Sequence, residues 1–193
     1  MGNKSKIILD LCGGTGSWSK PYKDAGYDVR LITLPEYDVR DYIPPENVYG
    51  ILAAPPCNEF SMAKNFHGKG NFTRDIFKGL EILSACCRII LICDPVFYAI
   101  ENPANGLMKK WMGKPEFVFN PWHFGDTYQK GTALWGKFNH PEQIVFDKPN
   151  DLKKFSMLHS KDIFPEFYGV YTRQERRAIT PPGFAKAFYE ANK

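Results

Sequence analysis

The sequence lacks the cysteine and histidine patterns that build a metal site or a disulfide framework. Its five cysteines contain no CxxC pair, and its four histidines are scattered along the chain. Structural zinc sites and disulfide-stapled domains need such residues at short, regular spacings. We therefore expect no metal site, reduced thiols and an intracellular protein.

Long apolar runs are also missing. The apolar run at the amino terminus is too short for a signal peptide, and the run IILIC at 89–93 is too short to cross a membrane. The net charge of +4 over 193 residues permits a nucleic-acid partner without arguing for one. With 44% hydrophobic residues, the sequence predicts a single domain, 1–193, that is not associated with a membrane.

The apolar patterns that are present alternate between strand and helix. Strands are predicted at 7–12, 27–34, 49–55 and 96–103, with helices at 18–25 and 73–93 between them. Shorter strands are expected at 117–119, 133–138 and 143–146, followed by a final helix with Thr180 as its cap. This alternation is typical of an α/β fold with a mainly parallel sheet and helices on both faces.

A glycine-rich turn, CGGTGSWS at 12–19, follows the first predicted strand. Glycines let the backbone approach a ligand closely, and a helix start at Trp18 would offer free amides to a carboxylate. The GxGxxG spacing that favours a dinucleotide is absent. The turn resembles the cofactor loop of S-adenosylmethionine-dependent methyltransferases, and a purely structural turn is the alternative.

Two prolines and a cysteine, Pro55, Pro56 and Cys57, end the third predicted strand. Proline has no amide hydrogen and a fixed φ, so this pair cannot continue a central strand. Cys57 is therefore held at the carboxyl end of a strand, where open α/β sheets bind their ligands. The thiol is a candidate nucleophile, and a structural cysteine after a turn is the alternative.

Three segments together resemble the ordered motifs of the cytosine-5 DNA methyltransferases, in small forms such as those of phages and prophages. They are DLCGGTGSW at 10–18, PPCNEFS at 55–61 and IENP at 100–103, within a resemblance that covers roughly 7–138. The resemblance implies a class I (Rossmann-like) methyltransferase fold, S-adenosyl-L-methionine as cofactor, and DNA with a flipped or single-stranded cytosine as substrate. It also implies the cytoplasm of a prokaryotic or phage-infected cell.

The resemblance further implies residue roles. Cys57 would add to ring position 6 of cytosine, Glu101 would hydrogen-bond ring N3 and the exocyclic amine, and Asp38 would contact the adenine amine. The implied cofactor-binding residues are Asp10, Leu11, Cys12, Gly13, Gly14, Thr15, Gly16, Ser17, Trp18, Asp38 and Pro55. The implied substrate contacts are Pro56, Asn58, Ser61, Lys64, Asn102 and Lys130. The loop Ala63 to Asp75, with Lys64, His67, Lys69 and Arg74, would close over the base, and a solvated loop is the alternative.

Two departures from the family pattern keep other functions open. Gly131 and Ala133 stand where the family carries two arginines, for which Lys130 or Lys137 could substitute. A short variable region, 139–180, stands in place of a target-recognition domain. The alternatives are a weak or inactive protein that binds cofactor and nucleic acid, or a methyltransferase of RNA or pyrimidine nucleotides. Recognition could also be supplied by a homodimer or a partner.

Four aromatic residues could in principle stack on bases, but we expect them to pack in the core instead. They are Trp111, Trp122, Tyr128 and Trp135.

Overall fold

The computed structural model describes residues 2–62, 74–154, 169–170 and 172–193. Six strands form one sheet in the order β2-β1-β3-β4-β7-β5. They are β1 (Ile7–Leu11), β2 (Asp28–Ile32), β3 (Val48–Ala53), β4 (Phe97–Pro103), β5 (Phe117–Phe119) and β7 (Thr132–Lys137). A separate two-stranded sheet pairs β6 (Tyr128–Gln129) with β8 (Lys153–Lys154).

The predicted fold class is confirmed. Strands β2, β1, β3 and β4 run parallel, and β7 is antiparallel to both of its neighbours, β4 and β5. The helices are α1 (Lys20–Asp24), α2 (Ile76–Cys93), α3 (Lys109–Met112), α4 (Arg173–Ala178) and α5 (Pro182–Ala191). Within the described ranges, no helix is long and apolar enough to cross a bilayer.

The sheet is covered on both faces because successive strand residues point to opposite sides. Leu9 of β1 belongs to a core that it shares with Leu83 and Ile89 of α2. Its neighbour Ile8 belongs to a second core, shared with Tyr22 of α1 and Phe184 of α5. Each face of the sheet therefore has its own apolar core beneath its helices.

Helix α2 confirms the helix predicted at 73–93, although it begins at Ile76. Asp75 is the cap, and its side chain accepts a hydrogen bond from the Lys78 amide at 3.1 Å. The predicted cap Thr73 lies outside the described residues. The helix ends at Cys93, and the next residue, Asp94, caps it with a left-handed backbone (φ 40°).

The two other predicted helices begin later than expected. Helix α1 starts at Lys20 rather than Trp18, because Trp18 is drawn into the core against Phe184 and Phe188, with ring centroids 5.9 and 5.4 Å apart. Helix α5 starts at Pro182, and Pro181 takes the capping position predicted for Thr180. The Thr180 amide instead donates to Ser17 Oγ at 2.8 Å.

The strand expected at 143–146 does not form. The amides of Ile144 and Val145 both donate to the His123 carbonyl, at 2.9 and 3.1 Å, so they do not join a ladder. The side chains of Ile144 and Phe146 are largely exposed. Alternating apolar residues predicted a half-buried strand here. The hydrogen bonds described for this segment connect it to His123 and not to a strand of either sheet.

Candidate active site

The sheet changes its direction of growth at β1, which lies between β2 and β3. In open α/β sheets, the carboxyl ends of strands at such a point form a crevice that binds ligands. Backbone hydrogen bonds connect the end of β1 to the ends of both neighbouring strands at this crevice. The Cys12 amide donates to the Ile32 carbonyl at 2.8 Å, and the Ala54 amide donates to the Leu11 carbonyl at 2.9 Å.

The glycine-rich turn after β1 leads from this crevice into α1. Gly13 passes so close to Asp10 that a Cβ would lie 2.2 Å from a carboxylate oxygen, so only glycine fits there. Gly14 and Gly16 have positive φ values of 54° and 69°, which glycine adopts without strain. The turn from Cys12 to Ser17 remains at least partly exposed. It can therefore present backbone amides to a ligand.

Asp10 supports this turn from inside the molecule. Its side chain is fully buried, and Ser19 Oγ donates a hydrogen bond to Oδ2 at 2.5 Å. Burial raises the pKa of Asp10 to about 6, and the Ser19 hydrogen bonds oppose that shift. Two further residues predicted to bind the cofactor, Leu11 and Trp18, are also buried in the core. These three side chains are therefore placed to shape the turn rather than to face solvent.

Asp38 lies after β2, at the same edge of the sheet. Hydrogen bonds from the Arg40 guanidinium and from the Arg40 backbone amide lower the pKa of Asp38 to about 2. Leu34 and Tyr37 beside it are 69% and 50% exposed. Glu36, the nearest acid to the end of β2, is exposed.

Beyond β3, the backbone leaves the sheet as the double proline predicts. Pro55 is buried, whereas Pro56 and Cys57 are exposed. Cys57 opens a 3-10 turn, Cys57–Glu59, and its carbonyl accepts a hydrogen bond from the Ser61 amide at 2.7 Å. We call the segment 55–61, which carries the candidate nucleophile Cys57, the nucleophile loop. Phe60 is fully buried and anchors the loop in the core.

Three contacts hold the nucleophile loop from outside. The Arg74 guanidinium donates to the carbonyls of Glu59 and Ser61, the second at 3.0 Å. The Leu107 amide donates to the Phe60 carbonyl at 2.7 Å. The amide nitrogen of Asn102 donates to the Pro55 carbonyl at 3.0 Å. The loop is therefore fixed to the residue before α2, to the segment after β4 and to β4 itself.

Glu101 stands one residue beyond Ile100, the β4 residue that pairs with Ala53 at the end of β3. Glu101 and Cys57 therefore come from the ends of neighbouring strands, as the sequence predicts. The Glu101 side chain is partly exposed. Desolvation raises its pKa, and the positive charge of Lys130 opposes that shift.

Comparison with a protein of similar sequence identifies the family of this chain. The chain is 30% identical, over 150 residues, to the probable DNA (cytosine-5)-methyltransferase of Frog virus 3 (isolate Goorha). The match spans 66% of this chain and 69% of that protein. The chain belongs to the DNA (cytosine-5)-methyltransferase family.

A solved structure is also similar. It is a protein assigned as a DNA modification methyltransferase, encoded within an E. coli prophage, with a TM-score of 0.48 and 16% identity. The similarity covers 78% of this chain, which spans about half, 53%, of that protein's length. No protein-family model matches the chain.

The positions of the two family arginines, at the start of β7, differ in their surroundings. Gly131 has open space where its side chain would project, with only the Ala104 Cβ at 3.8 Å. Ala133 is fully buried and pairs with Asn102 of β4. The structure also distinguishes Lys130 from Lys137, the two lysines that could substitute for these arginines. Lys137 pairs with Tyr98 near the start of β4, whereas Lys130 lies close enough to Glu101 to affect its pKa.

Two supporting residues of this family member have roles in the structure that the sequence did not predict. Ser19 holds the buried Asp10, and Arg74 holds the nucleophile loop. Ser19 directly follows the glycine-rich turn, which could have indicated a role there. Arg74 was predicted to belong to a loop that closes over the base, whereas its guanidinium donates to backbone carbonyls distant in sequence, which no sequence pattern indicates. Lys64, His67 and Lys69 lie outside the described residues, as does much of the region 139–180.

Proposed function

We propose that this family member transfers a methyl group from S-adenosyl-L-methionine to position 5 of cytosine in DNA, through a covalent bond to Cys57. The observation that carries the proposal is an exposed thiol in the turn that follows β3, together with Glu101 near the end of the neighbouring strand β4. This is the edge of an α/β sheet at which ligands bind. The relative from Frog virus 3 supports cytosine as the base.

The chemistry follows from the electronic structure of cytosine. The Cys57 thiolate adds to ring position 6, and the displaced electron pair makes position 5 a carbon nucleophile. Position 5 then takes the methyl group and loses its proton to a base, and the electron pair left behind re-forms the double bond to position 6 and breaks the bond between position 6 and the Cys57 sulfur. Because the ring is stacked in duplex DNA, it must leave the helix or be unpaired before Cys57 can reach it.

Glu101 would stabilise the charge that develops on the ring. In its protonated form the carboxyl would donate to ring N3 while its carbonyl oxygen accepts from the exocyclic amine. Lys130 is the cation near this carboxyl, and it would offer the donor for the cytosine carbonyl oxygen that the family arginines supply. Pro56, Asn58, Ser61 and Asn102 are proposed to shape the substrate site around it.

The residues at the crevice fit the cofactor. The backbone at Gly14 has no atom within 4 Å of the place that a Cβ would occupy, which leaves room for the methionine carboxylate near the first turn of α1. Leu34 and Tyr37 provide apolar surface for an adenine ring, and ionised Asp38 can accept from its amine. The bound cofactor supplies an electrophilic methyl group.

One observation favours a second function, binding of cofactor and DNA without methyl transfer. Both arginine positions, Gly131 and Ala133, lack a side-chain donor. A methyltransferase of RNA or of pyrimidine nucleotides is the further alternative. Cofactor binding measured by calorimetry, together with methyl transfer to DNA, RNA and nucleotides, distinguishes the three.

The decisive experiment uses DNA that contains 5-fluorocytosine, which cannot lose a proton from position 5. With cofactor present, the native chain should form an adduct that survives denaturing electrophoresis. Cys57→Ser should abolish the adduct, Glu101→Gln should slow its formation severely, and Cys93→Ser should leave it unchanged. If Cys57→Ser transfers label from the cofactor as fast as the native chain does, the covalent mechanism is wrong.

A further inference from the structure

The short helix α3 carries a basic and aromatic surface that the proposed chemistry does not use. Lys109, Lys110, Trp111 and Lys114 are all exposed, and we call them the α3 surface. Trp111 is 46% exposed, contrary to the expectation that it packs in the core. Of the other three aromatics in that expectation, Trp122, Tyr128 and Trp135 are buried.

The three lysines are not neutralised by their surroundings. Among the described residues, no carboxylate lies within 4 Å of their ammonium groups, whereas Lys20 and Lys193 form such pairs. The acidic residue nearest in sequence, Glu116, instead bonds to His140 at 3.1 Å. Three uncompensated positive charges on one short segment attract a polyanion.

The α3 surface is joined to the nucleophile loop. The rings of Trp111 and Phe60 contact each other edge to face, with centroids 6.2 Å apart. One turn earlier, the Leu107 amide bonds to the Phe60 carbonyl, and Gly106 passes so close that a Cβ would lie 3.2 Å from that carbonyl. Phe60 lies three residues after Cys57 in the nucleophile loop, so α3 packs against the segment that carries the thiol.

The connection that carries α3 stays at the same end of the sheet. It leaves β4 at Pro103 and enters β5 at Phe117, and Phe117 is level with Glu101 because both pair with Leu134 of β7. The segment 104–116 therefore remains beside the candidate active site instead of crossing to the other edge.

We propose that the α3 surface binds the DNA backbone next to the target cytosine, and so supplies part of the DNA contact that a target-recognition domain would otherwise make. This rests on the proposed function, in which the cytosine reaches Cys57. The lysines would contact phosphates on the strand that carries the base. The exposed face of Trp111 would stack on a nucleotide left unstacked by extrusion of that base.

Binding of a short fluorescein-labelled DNA duplex, measured by anisotropy at several salt concentrations without cofactor, tests the proposal. Each phosphate contact contributes about 0.9 to the slope of log K against log salt. This slope should therefore become flatter by up to about 2.7 in the triple variant Lys109→Gln, Lys110→Gln, Lys114→Gln. The control variant Lys4→Gln, Lys23→Gln, Lys193→Gln removes the same charge from elsewhere and should keep the slope within about 1 of the native value.

Trp111 has its own arm in this experiment. Trp111→Ala should weaken binding of a duplex with an unpaired cytosine about fivefold or more, since an aromatic stacking partner is lost. Trp111→Phe keeps a ring against Phe60 and should retain most of the affinity. Equal affinity for the alanine and phenylalanine variants would overturn the stacking part of the proposal.

Methyl transfer is measured separately, so the two proposals fail in different ways. A chain that transfers no methyl group but loses salt-dependent DNA binding on lysine replacement supports the α3 surface alone. Native-like slopes for both lysine variants overturn the α3 surface, whatever the activity. Absence of DNA binding by the native chain, or tighter binding of an RNA duplex of the same sequence, also overturns it.

Discussion

At the residue scale, the two positions that replace the family arginines differ in what they tolerate. Gly131 faces open space, and its φ does not lie in the left-handed region, so a longer side chain can project outward. Ala133 is fully buried between β4 and β5. An arginine introduced there would have to bury its charge or displace a neighbouring strand.

We therefore expect Gly131→Arg to change the free energy of unfolding by less than about 1 kcal/mol, as is usual for a partly exposed site with room for a side chain. Ala133→Arg should lower it by about 3–5 kcal/mol, the cost of a buried charge without a partner. Urea denaturation of both variants at pH 7 provides the measurement. Equal stabilities would show that β7 can open around position 133.

At the scale of elements, α2 and the nucleophile loop are packed too closely to move independently. A Cβ at Gly79 would lie 2.9 Å from the Glu59 Cβ and 3.2 Å from the Phe60 ring. Arg74 and Asp75, just before this helix, bind Glu59 through its carbonyl and its carboxylate respectively. The helix therefore fixes the position from which Cys57 is presented.

Gly79→Ala brings two opposing effects into competition. Alanine in a helix interior is favoured over glycine by about 1 kcal/mol, but overpacking costs about 1–3 kcal/mol. We expect a net loss of stability of about 1 kcal/mol and a changed alkylation rate of Cys57 by iodoacetamide, followed by mass spectrometry. Ser84→Ala, at an exposed site of the same helix, should stabilise slightly and leave the thiol unaffected. A stabilised Gly79→Ala chain with native thiol reactivity would contradict this coupling.

At the scale of the whole molecule, buried carboxyls make stability depend on pH. The pKa values of Asp10 and Asp126 are both raised to about 6, chiefly by desolvation, from an ordinary value of 3.8. Between these two pKa values, the carboxyls keep their protons in the native state but lose them in the unfolded state. The contribution of the two carboxyls to the free energy of unfolding therefore falls as pH rises from about 4 through 6. Asp38, with its pKa lowered to about 2 by Arg40, contributes stability that is lost as pH falls through about 4 to 2.

Asp10→Asn isolates one of these effects at a fully buried carboxyl. The amide cannot ionise, so at pH 7.5 the variant should be more stable than the native chain by on the order of 2–3 kcal/mol. At about pH 4.5 the difference should largely vanish, since Asp10 is then protonated in the native state. Thermal or urea unfolding at the two pH values measures this, with exposed Asp24→Asn as control. A difference that is independent of pH would mean that Asp10 is not the titrating group.

The sequence by itself determined the elements whose causes are local. The apolar alternation predicted β1 to β4, the spacing of apolar residues predicted α2, and the double proline predicted that Cys57 leaves the sheet at the end of β3. The order of three short motifs indicated the family, which the relative from Frog virus 3 confirmed. Each of these depends on a few neighbouring residues.

Only the tertiary structure decided features that depend on distant partners. Trp18 resembles a helix start in sequence, but the aromatic rings of α5 bury it and delay α1 to Lys20. Arg74 binds backbone carbonyls, which carry no sequence signature. The register of β7 against β4 pairs Lys137 with Tyr98 near the start of β4, so Lys130 is the better candidate to act near Glu101. Trp111 is exposed on the connection that follows β4. Burial and long-range pairing are properties of the packed chain, because they arise only when segments far apart in sequence compete for the same space.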